Sequence, residues 1–266
     1  MHSENTGKLF IEELSRKKGK VSMCLSNDEI IEINEDIVLE FYLYEKKELS
    51  FSEIKKIKES AEMSETLNKA YNLLAHGLYT KKEVKERLLR KKCNPYVVDK
   101  VIKKLISLNY LNDKIYLEEY LSYAKTKGYG PKKIKSELIK KGINDALIAS
   151  ISFDDQEEII ETQAEKLLKK YQNLNYQKKY QKIYNHLLLL GYSSSLISDV
   201  LENKIKLDGD KEIEILRKDM EKAINKFKNK FIGNDLKKVV ITYLMKKGYK
   251  YDTIYEVLKE YDFYED

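Results

Sequence analysis

The chain has 266 residues, of which 42% are hydrophobic and 35% are charged, and its formal net charge is +6. This is enough apolar material for a core, and the length suits either one large domain or an array of smaller units. No apolar stretch approaches the roughly 20 residues that a membrane helix needs, and the first ten residues lack the pattern of a secretory signal. We therefore expect a cytoplasmic protein without a membrane segment.

Short apolar or alternating runs at 8–14, 20–26 and 29–33 are typical of two or three strands in a hairpin or meander. Turns are expected between them at 16–20 and 26–29. A helix is then predicted from Ser50 to about residue 67, because Ser50 and Glu53 have the spacing of a capping box.

The rest of the chain has a repeating helical pattern, with apolar residues every three or four positions. Each copy contains a helix end, a break and a new amphipathic helix. The breaks lie at intervals of 50, 49 and 57 residues, at Lys92, Gly142, Gly191 and Gly248. Glycine is expected where a helix ends in a left-handed turn. A leucine stands four residues before each break: Leu88, Leu138, Leu187 and Leu244.

A further helix is predicted upstream of each break, at about 65–77, 113–127, 157–172 and 211–230. Polar residues after three of the breaks are predicted N-caps, namely Asn94, Asn144 and Ser193.

These patterns predict a mainly α-helical fold of four tandem three-helix repeats, arranged as an elongated curved array after a small N-terminal β-hairpin or meander. The predicted divisions are 1–62 for the N-terminal segment and 63–112, 113–155, 156–205 and 206–266 for the four repeats.

No pattern of catalytic or metal-binding residues appears. Glu118–Glu119 and Asp154–Asp155 are adjacent pairs, whose side chains diverge by about 100° on a helix, so we interpret them as solvated residues at helix starts. Phosphate-binding loops and nucleophile motifs are missing from the sequence. We expect no enzyme, no metal and no cofactor. No histidine has a partner at metal-ligand spacing: the three are His2, His76 and His186.

The two cysteines, Cys24 and Cys93, lie far apart in apolar patterns. We interpret them as reduced structural thiols rather than as a disulfide.

Basic residues are concentrated between Lys81 and Gly142, where 18 Lys and Arg face 7 Asp and Glu, a net charge of +11. The remainder carries 32 against 37. A local excess of this size favours docking to a polyanion or to an acidic groove over a merely solvated helix face. The candidate docking residues are Arg87, Arg90, Lys132, Lys133, Lys135, Lys140 and Lys141.

Four tyrosines near this segment have two interpretations. They are suited to stacking on single-stranded bases, but a role at the edge of the core is favoured. They are Tyr110, Tyr116, Tyr123 and Tyr129.

One motif within the basic segment is specific. Residues 130–143 read Gly-x-x-x-Ile-x-x-Glu-Leu-x-x-Lys-Gly-Ile, which is a complete match to the second helical repeat of the RecX family. Residues 69–113 and 164–201 resemble the first and third repeats. The sequence therefore resembles the RecX proteins, regulators of the recombinase RecA. The structural residues of the motif are Gly130, Pro131 at the first helical position, Ile134, Leu138 and Gly142.

The chain departs from the family pattern at three places. The arginine common near Gly77 is missing, Lys92–Cys93 replaces a glycine and an apolar residue, and Asn109 stands in place of a glycine. Asparagine also tolerates a left-handed backbone. Residues 206–266 are interpreted as an additional repeat, as in some longer members.

The resemblance implies a monomeric regulator without catalysis of its own. It implies binding to the RecA filament on single-stranded DNA, with inhibition as the expected effect on recombination, DNA repair and the SOS response. Two alternatives stay open. One is RecA-independent binding to single-stranded DNA, and the other is a helical scaffold for a different protein partner.

Overall fold

The computed structural model describes residues 8–17 and 19–263, which form four strands and 13 helices. They pack as two compact units. The first contains the described residues up to Glu118 together with 141–144, and the second contains 119–140 together with the described residues from Asp145 to Phe263. The mainly helical fold with a small N-terminal sheet is as predicted.

The four strands form one antiparallel sheet in the order β3-β2-β1-β4. Three of them were predicted from their alternation, whereas β4 pairs Leu9 with Leu49 over only three residues, too few for a pattern to show. The predicted turn at 16–20 includes Lys18, which lies outside the described residues. The strands are β1 (Lys8–Lys17), β2 (Lys20–Leu25), β3 (Ile30–Ile33) and β4 (Glu48–Ser50).

A short helix, α1 (Glu35–Glu40), and a long one, α2 (Phe51–Leu74), accompany the sheet. The capping box of Ser50 and Glu53 is confirmed. The helices predicted to about residue 67 and at 65–77 are one continuous helix, because no glycine or proline interrupts α2.

Four three-helix repeats follow, the first of which uses the C-terminal part of α2. All four upstream helices and all four break-flanking pairs are present, although α7 has only five residues. The exact divisions between repeats stay predictions. The remaining helices are α3 (Lys81–Arg90), α4 (Pro95–Ser107), α5 (Asp113–Lys127), α6 (Pro131–Lys140), α7 (Asp145–Ala149), α8 (Gln156–Lys170), α9 (Tyr176–Leu189), α10 (Ser194–Lys204), α11 (Gly209–Phe227), α12 (Gly233–Lys246) and α13 (Tyr251–Leu258).

Each predicted break has a left-handed residue between the second and third helices of its repeat. The φ angles are +57° at Lys92, +78° at Gly142, +94° at Gly191 and +97° at Gly248. At three breaks the buried leucine carbonyl accepts a hydrogen bond from the amide five residues later, as in a Schellman motif. These bonds are Cys93 N to Leu88, Tyr192 N to Leu187 and Tyr249 N to Leu244.

Two of the predicted N-caps after the breaks are confirmed. The side chain of Asn94 accepts a hydrogen bond from Tyr96 N, and that of Ser193 accepts one from Leu196 N. Asn109 has a φ of +60°, the conformation expected of a glycine substitute. The cap at Asn144 stays a prediction.

In the described part of the chain, His76 and the two acidic pairs lie on different segments. His76 is exposed beyond α2, with Nδ1 2.6 Å from the carbonyl of Asn72. His2 is outside the described residues. Glu118 and Glu119 are exposed in the middle of α5, so their interpretation as helix-start residues is wrong. Asp154–Asp155 does precede α8, as expected.

Within the described ranges, no group of His, Cys, Asp or Glu side chains has the proximity to hold a metal. Cys24 and Cys93 are free thiols. In the same part of the chain, none of the helices combines the length and the apolar character needed to cross a bilayer.

Candidate partner-binding faces

Three hydrogen bonds of one kind connect consecutive repeats. In each, a group at the start of a middle helix donates to the carbonyl that precedes the next repeat's break glycine. Thr80 and Asn175 are only 1% and 2% exposed, although both are polar N-caps. We call these contacts the repeat junctions. They are Thr80 Oγ1 to Lys141 O (2.7 Å), Gly130 N to Leu190 O (2.7 Å) and Asn175 Nδ2 to Lys247 O (2.9 Å).

The middle junction explains the glycine that begins the sequence motif. A Cβ on Gly130 would lie 2.7 Å from the carbonyl carbon of Gly191, so the two backbones approach too closely for any side chain. Beside them the hydroxyl of Tyr192 donates to Gly128 O at 3.1 Å. Burial, with a smaller contribution from Asp155, raises the pKa of Tyr192 to about 12, so this donor keeps its proton at neutral pH.

The first junction contains a half-buried ion pair. Lys141 Nζ lies 2.6 Å from Glu83 Oε1, and Glu83 also accepts from Thr80 N at 3.0 Å. Burial opposes ionisation of Glu83, but the hydrogen bonds from Lys141 and Thr80 outweigh it and lower its pKa. Burial likewise opposes the charge on Lys141, yet its bonds to Glu83 and Tyr116 raise its pKa. Lys141, a candidate docking residue, is thus half-buried and bound by Glu83 rather than free at the surface.

Helix α6 is amphipathic in the way the motif predicts. Ile134 and Leu138 are buried, and Pro131 occupies the first helical position. The opposite side carries four lysines, which we call the α6 face. Its members are Lys132, Lys133, Lys135 and Lys140, of which all but the half-buried Lys133 are exposed.

Aromatic rings accompany two of these lysines. Lys133 Nζ lies 3.8 Å from the ring centroid of Tyr129, and Lys135 Nζ lies 5.4 Å from that of Phe153. The same two rings line a shallow cavity of about 210 Å³ within the second unit. The ammonium groups are therefore presented beside ring faces, which attract cations electrostatically.

The two candidate arginines lie on α3, in the first unit. The guanidinium of Arg87 stacks over the ring of Tyr79 at 4.4 Å, while Arg90 is exposed, with its nearest carboxylate oxygen, on Glu86, at 3.9 Å. We call this pair the α3 face.

The four tyrosines near the basic segment differ in exposure. Tyr116 is buried, Tyr129 is half-buried, and Tyr110 and Tyr123 are exposed.

A second basic segment did not enter the prediction. Residues 222–250 contain nine lysines and one aspartate, a net charge of +8. Summing the charges of all residues outside 81–142 conceals this segment, because acidic residues elsewhere offset its positive charge. A running charge count along the chain would have revealed it.

Three family models match the chain in order. They describe the first, second and third three-helix domains of RecX and match residues 67–105, 112–150 and 154–201. Each of these segments contains one of the first three breaks described above.

Curated relatives extend this likeness over most of the chain. A protein of Listeria welshimeri named "Regulatory protein RecX" is 32% identical over 251 residues, which cover 92% of this chain and 93% of the relative. One of the same name from Streptococcus uberis is 30% identical and covers 94% of this chain and 98% of its own.

A crystal structure titled as that of regulatory protein RecX superimposes with a TM-score of 0.58 at 21% identity. The superposition covers 73% of this chain and 99% of that one. At this identity the likeness concerns the fold alone.

Proposed function

The chain belongs to the RecX family of regulatory proteins, and we propose that it binds the RecA filament on single-stranded DNA and inhibits the recombinase. It acts in the cytoplasm as a monomer, without catalysis of its own, in recombination, DNA repair and the SOS response. The observation that carries the proposal is the family likeness, which spans 92% of the chain.

The α6 face supports this proposal physically. Lys132 and Lys135 are exposed on a helix whose first turn is fixed by backbone hydrogen bonds to the following break, including Lys132 N to Gly191 O at 3.0 Å. A nucleoprotein filament offers DNA phosphates and acidic side chains. Cations on a rigid helix bind such groups with less loss of backbone entropy than cations on a flexible loop.

The direct test follows ATP turnover and filament length of RecA on single-stranded DNA as the full-length protein is added. We expect both to fall at stoichiometric protein. The variant Lys132→Glu/Lys135→Glu should need roughly tenfold more protein for the same inhibition, because charge reversal converts attraction into repulsion at the interface.

The matched control is Lys166→Glu/Lys169→Glu, which makes the same change of net charge at exposed positions on α8. It should inhibit like the wild type. Unchanged ATP turnover and unchanged filaments with the wild-type protein would refute the proposal. Equal weakening of both variants would refute the α6 face as the docking surface.

A further inference from the structure

Helices α11 and α12 form an open groove of about 250 Å³ on the fourth repeat. Two half-buried rings stand in it, Phe227 at the end of α11 and Tyr243 on α12, with centroids 5.5 Å apart and planes at 74°. The α11–α12 groove is lined by Phe227, Lys238, Val239, Thr242, Tyr243 and Lys246.

Exposed lysines surround these rings. Lys226 Nζ lies 5.2 Å from the Phe227 centroid and 4.8 Å from that of Tyr243, so one ammonium group faces both rings. Lys238 and Lys246 project from the same face of α12, eight residues apart and thus about two turns. The turn between the helices adds the exposed Lys228 and Lys230.

Few carboxylates neutralise this charge. Within the described part of the chain, Lys226 and Lys246 have no ion pair with a carboxylate, and Lys238 has only a loose, exposed one with Asp235 at 3.5 Å. Lys247 differs, because it is half-buried in an ion pair with Asp219 at 2.9 Å and its carbonyl belongs to the third repeat junction. The groove therefore presents uncompensated positive charge beside aromatic surface.

We propose that the α11–α12 groove is a binding site for single-stranded nucleic acid. Lys226, Lys238 and Lys246 contact successive phosphates, and an unpaired base lies against the rings of Phe227 and Tyr243. Charge complementarity identifies the occupant as a polyanion, since residues 222–250 carry +8. The half-buried rings favour an unpaired base, because a duplex keeps its base faces stacked and out of reach. RecA is not required.

The test measures binding of a fluorescein-labelled oligodeoxythymidine to the full chain by anisotropy, without RecA, over a series of salt concentrations. The groove variant is Lys226→Glu/Lys238→Glu/Lys246→Glu. We expect its affinity to fall at least about tenfold and the salt slope to decrease by about 2, because each phosphate contact on a single strand contributes about 0.7.

A control variant of equal charge, Lys166→Glu/Lys169→Glu/Lys206→Glu, uses exposed lysines outside the groove and should keep the wild-type salt slope. Equal affinity of the groove and control variants overturns the proposal. So does tighter binding of the wild type to duplex DNA, or to vesicles of anionic lipid, than to the oligonucleotide.

The rings are tested separately. Tyr243→Leu should weaken binding by about tenfold with an unchanged salt slope, since stacking does not release counterions. Because Tyr243 also packs on the core of the fourth repeat, a second measurement avoids reliance on this variant. An oligonucleotide that contains 5-iododeoxyuridine should crosslink on irradiation to the peptides that contain Phe227 or Tyr243. Crosslinks confined to other helices would overturn the α11–α12 groove as the binding site. Such a result would not bear on the proposed function, because RecA inhibition is measured in a separate experiment.

Discussion

At the scale of single residues, the position of Lys141 is the main departure from the sequence interpretation. It stands in the most basic stretch of the chain, yet its ammonium group is bound by Glu83 and only 29% of its side chain is exposed. Glu83 in turn serves as the N3 residue of the capping box of Thr80. One carboxylate therefore stabilises a helix start and a repeat junction together.

We expect Glu83→Gln to lower the free energy of unfolding by about 1–2 kcal/mol, because the amide keeps the cap but loses the ion pair. Glu83 has a lowered pKa in the folded protein, so its contribution is present above the unfolded value of 4.5 and is lost as the pH falls through the folded pKa. Lys141 has a raised pKa, so its contribution is lost only above 10.5.

Urea denaturation of wild type and variant between about pH 3 and pH 8 measures this difference. Glu86→Gln is the control. The ion pair of Glu86 with Arg90 is solvent-exposed and 3.9 Å long, so it is expected to contribute less than about 0.5 kcal/mol to stability. The ion pair would be contradicted if Glu83→Gln lowered the free energy of unfolding no more than Glu86→Gln does. It would also be contradicted if the effect of Glu83→Gln stayed the same at acid pH.

At the scale of elements, the breaks explain why glycine recurs at three of four positions. The Cβ of an alanine at Gly191 would meet the backbone of Lys133, and one at Gly142 would meet the side chain of Lys82. The residue at each of these two breaks must adopt a left-handed conformation. It must also lack a Cβ, because residues of the preceding repeat pack directly against it. Lys92 is exposed, so only the left-handed conformation is required of it. For a residue other than glycine this conformation costs about 1 kcal/mol. Glycine is therefore not required at this break.

Gly130→Ala isolates the packing requirement, because φ at Gly130 is not left-handed. Its Cβ would strike the backbone of Gly191 and Tyr192, so we expect a loss of about 1–3 kcal/mol. Gly209→Ala is the control: it opens α11 with nothing within 4 Å of the added Cβ, and should be neutral or stabilising. Thermal unfolding compares the two. A neutral Gly130→Ala would contradict the close approach of the two backbones.

At the scale of the whole molecule, the interior is divided among separate hydrophobic cores rather than gathered into one. One core joins the sheet, α1 and the start of α2, and another fills the first repeat. The third and fourth repeats have cores of their own. Repeat proteins built in this way open locally, so damage in one core does not abolish protection in a distant one.

Leu244→Ala should therefore act locally. Leu244 is fully buried in the core of the fourth repeat, and its truncation is expected to cost about 3 kcal/mol. Native-state hydrogen exchange should accelerate in peptides from α11 to α13 and stay unchanged in peptides from β1 to β3. Leu49→Ala, in the core of the sheet, is the reciprocal control. Uniform acceleration in either variant would show a single cooperative unit instead.

The sequence alone determined the repeating helices, the four breaks, the caps at Ser50, Asn94 and Ser193, and the family, because each depends on residues within a few turns of one another. Tertiary structure decided the rest. β4 exists only through pairing with β1, and Lys141 is engaged rather than free because Glu83, 58 residues away, reaches it. Gly130 is required because a distant break packs on it, and the lysines of 222–250 become a groove only when α11 and α12 pack. Periodicity records which face of a helix is buried, but not which distant backbone or charge meets that face.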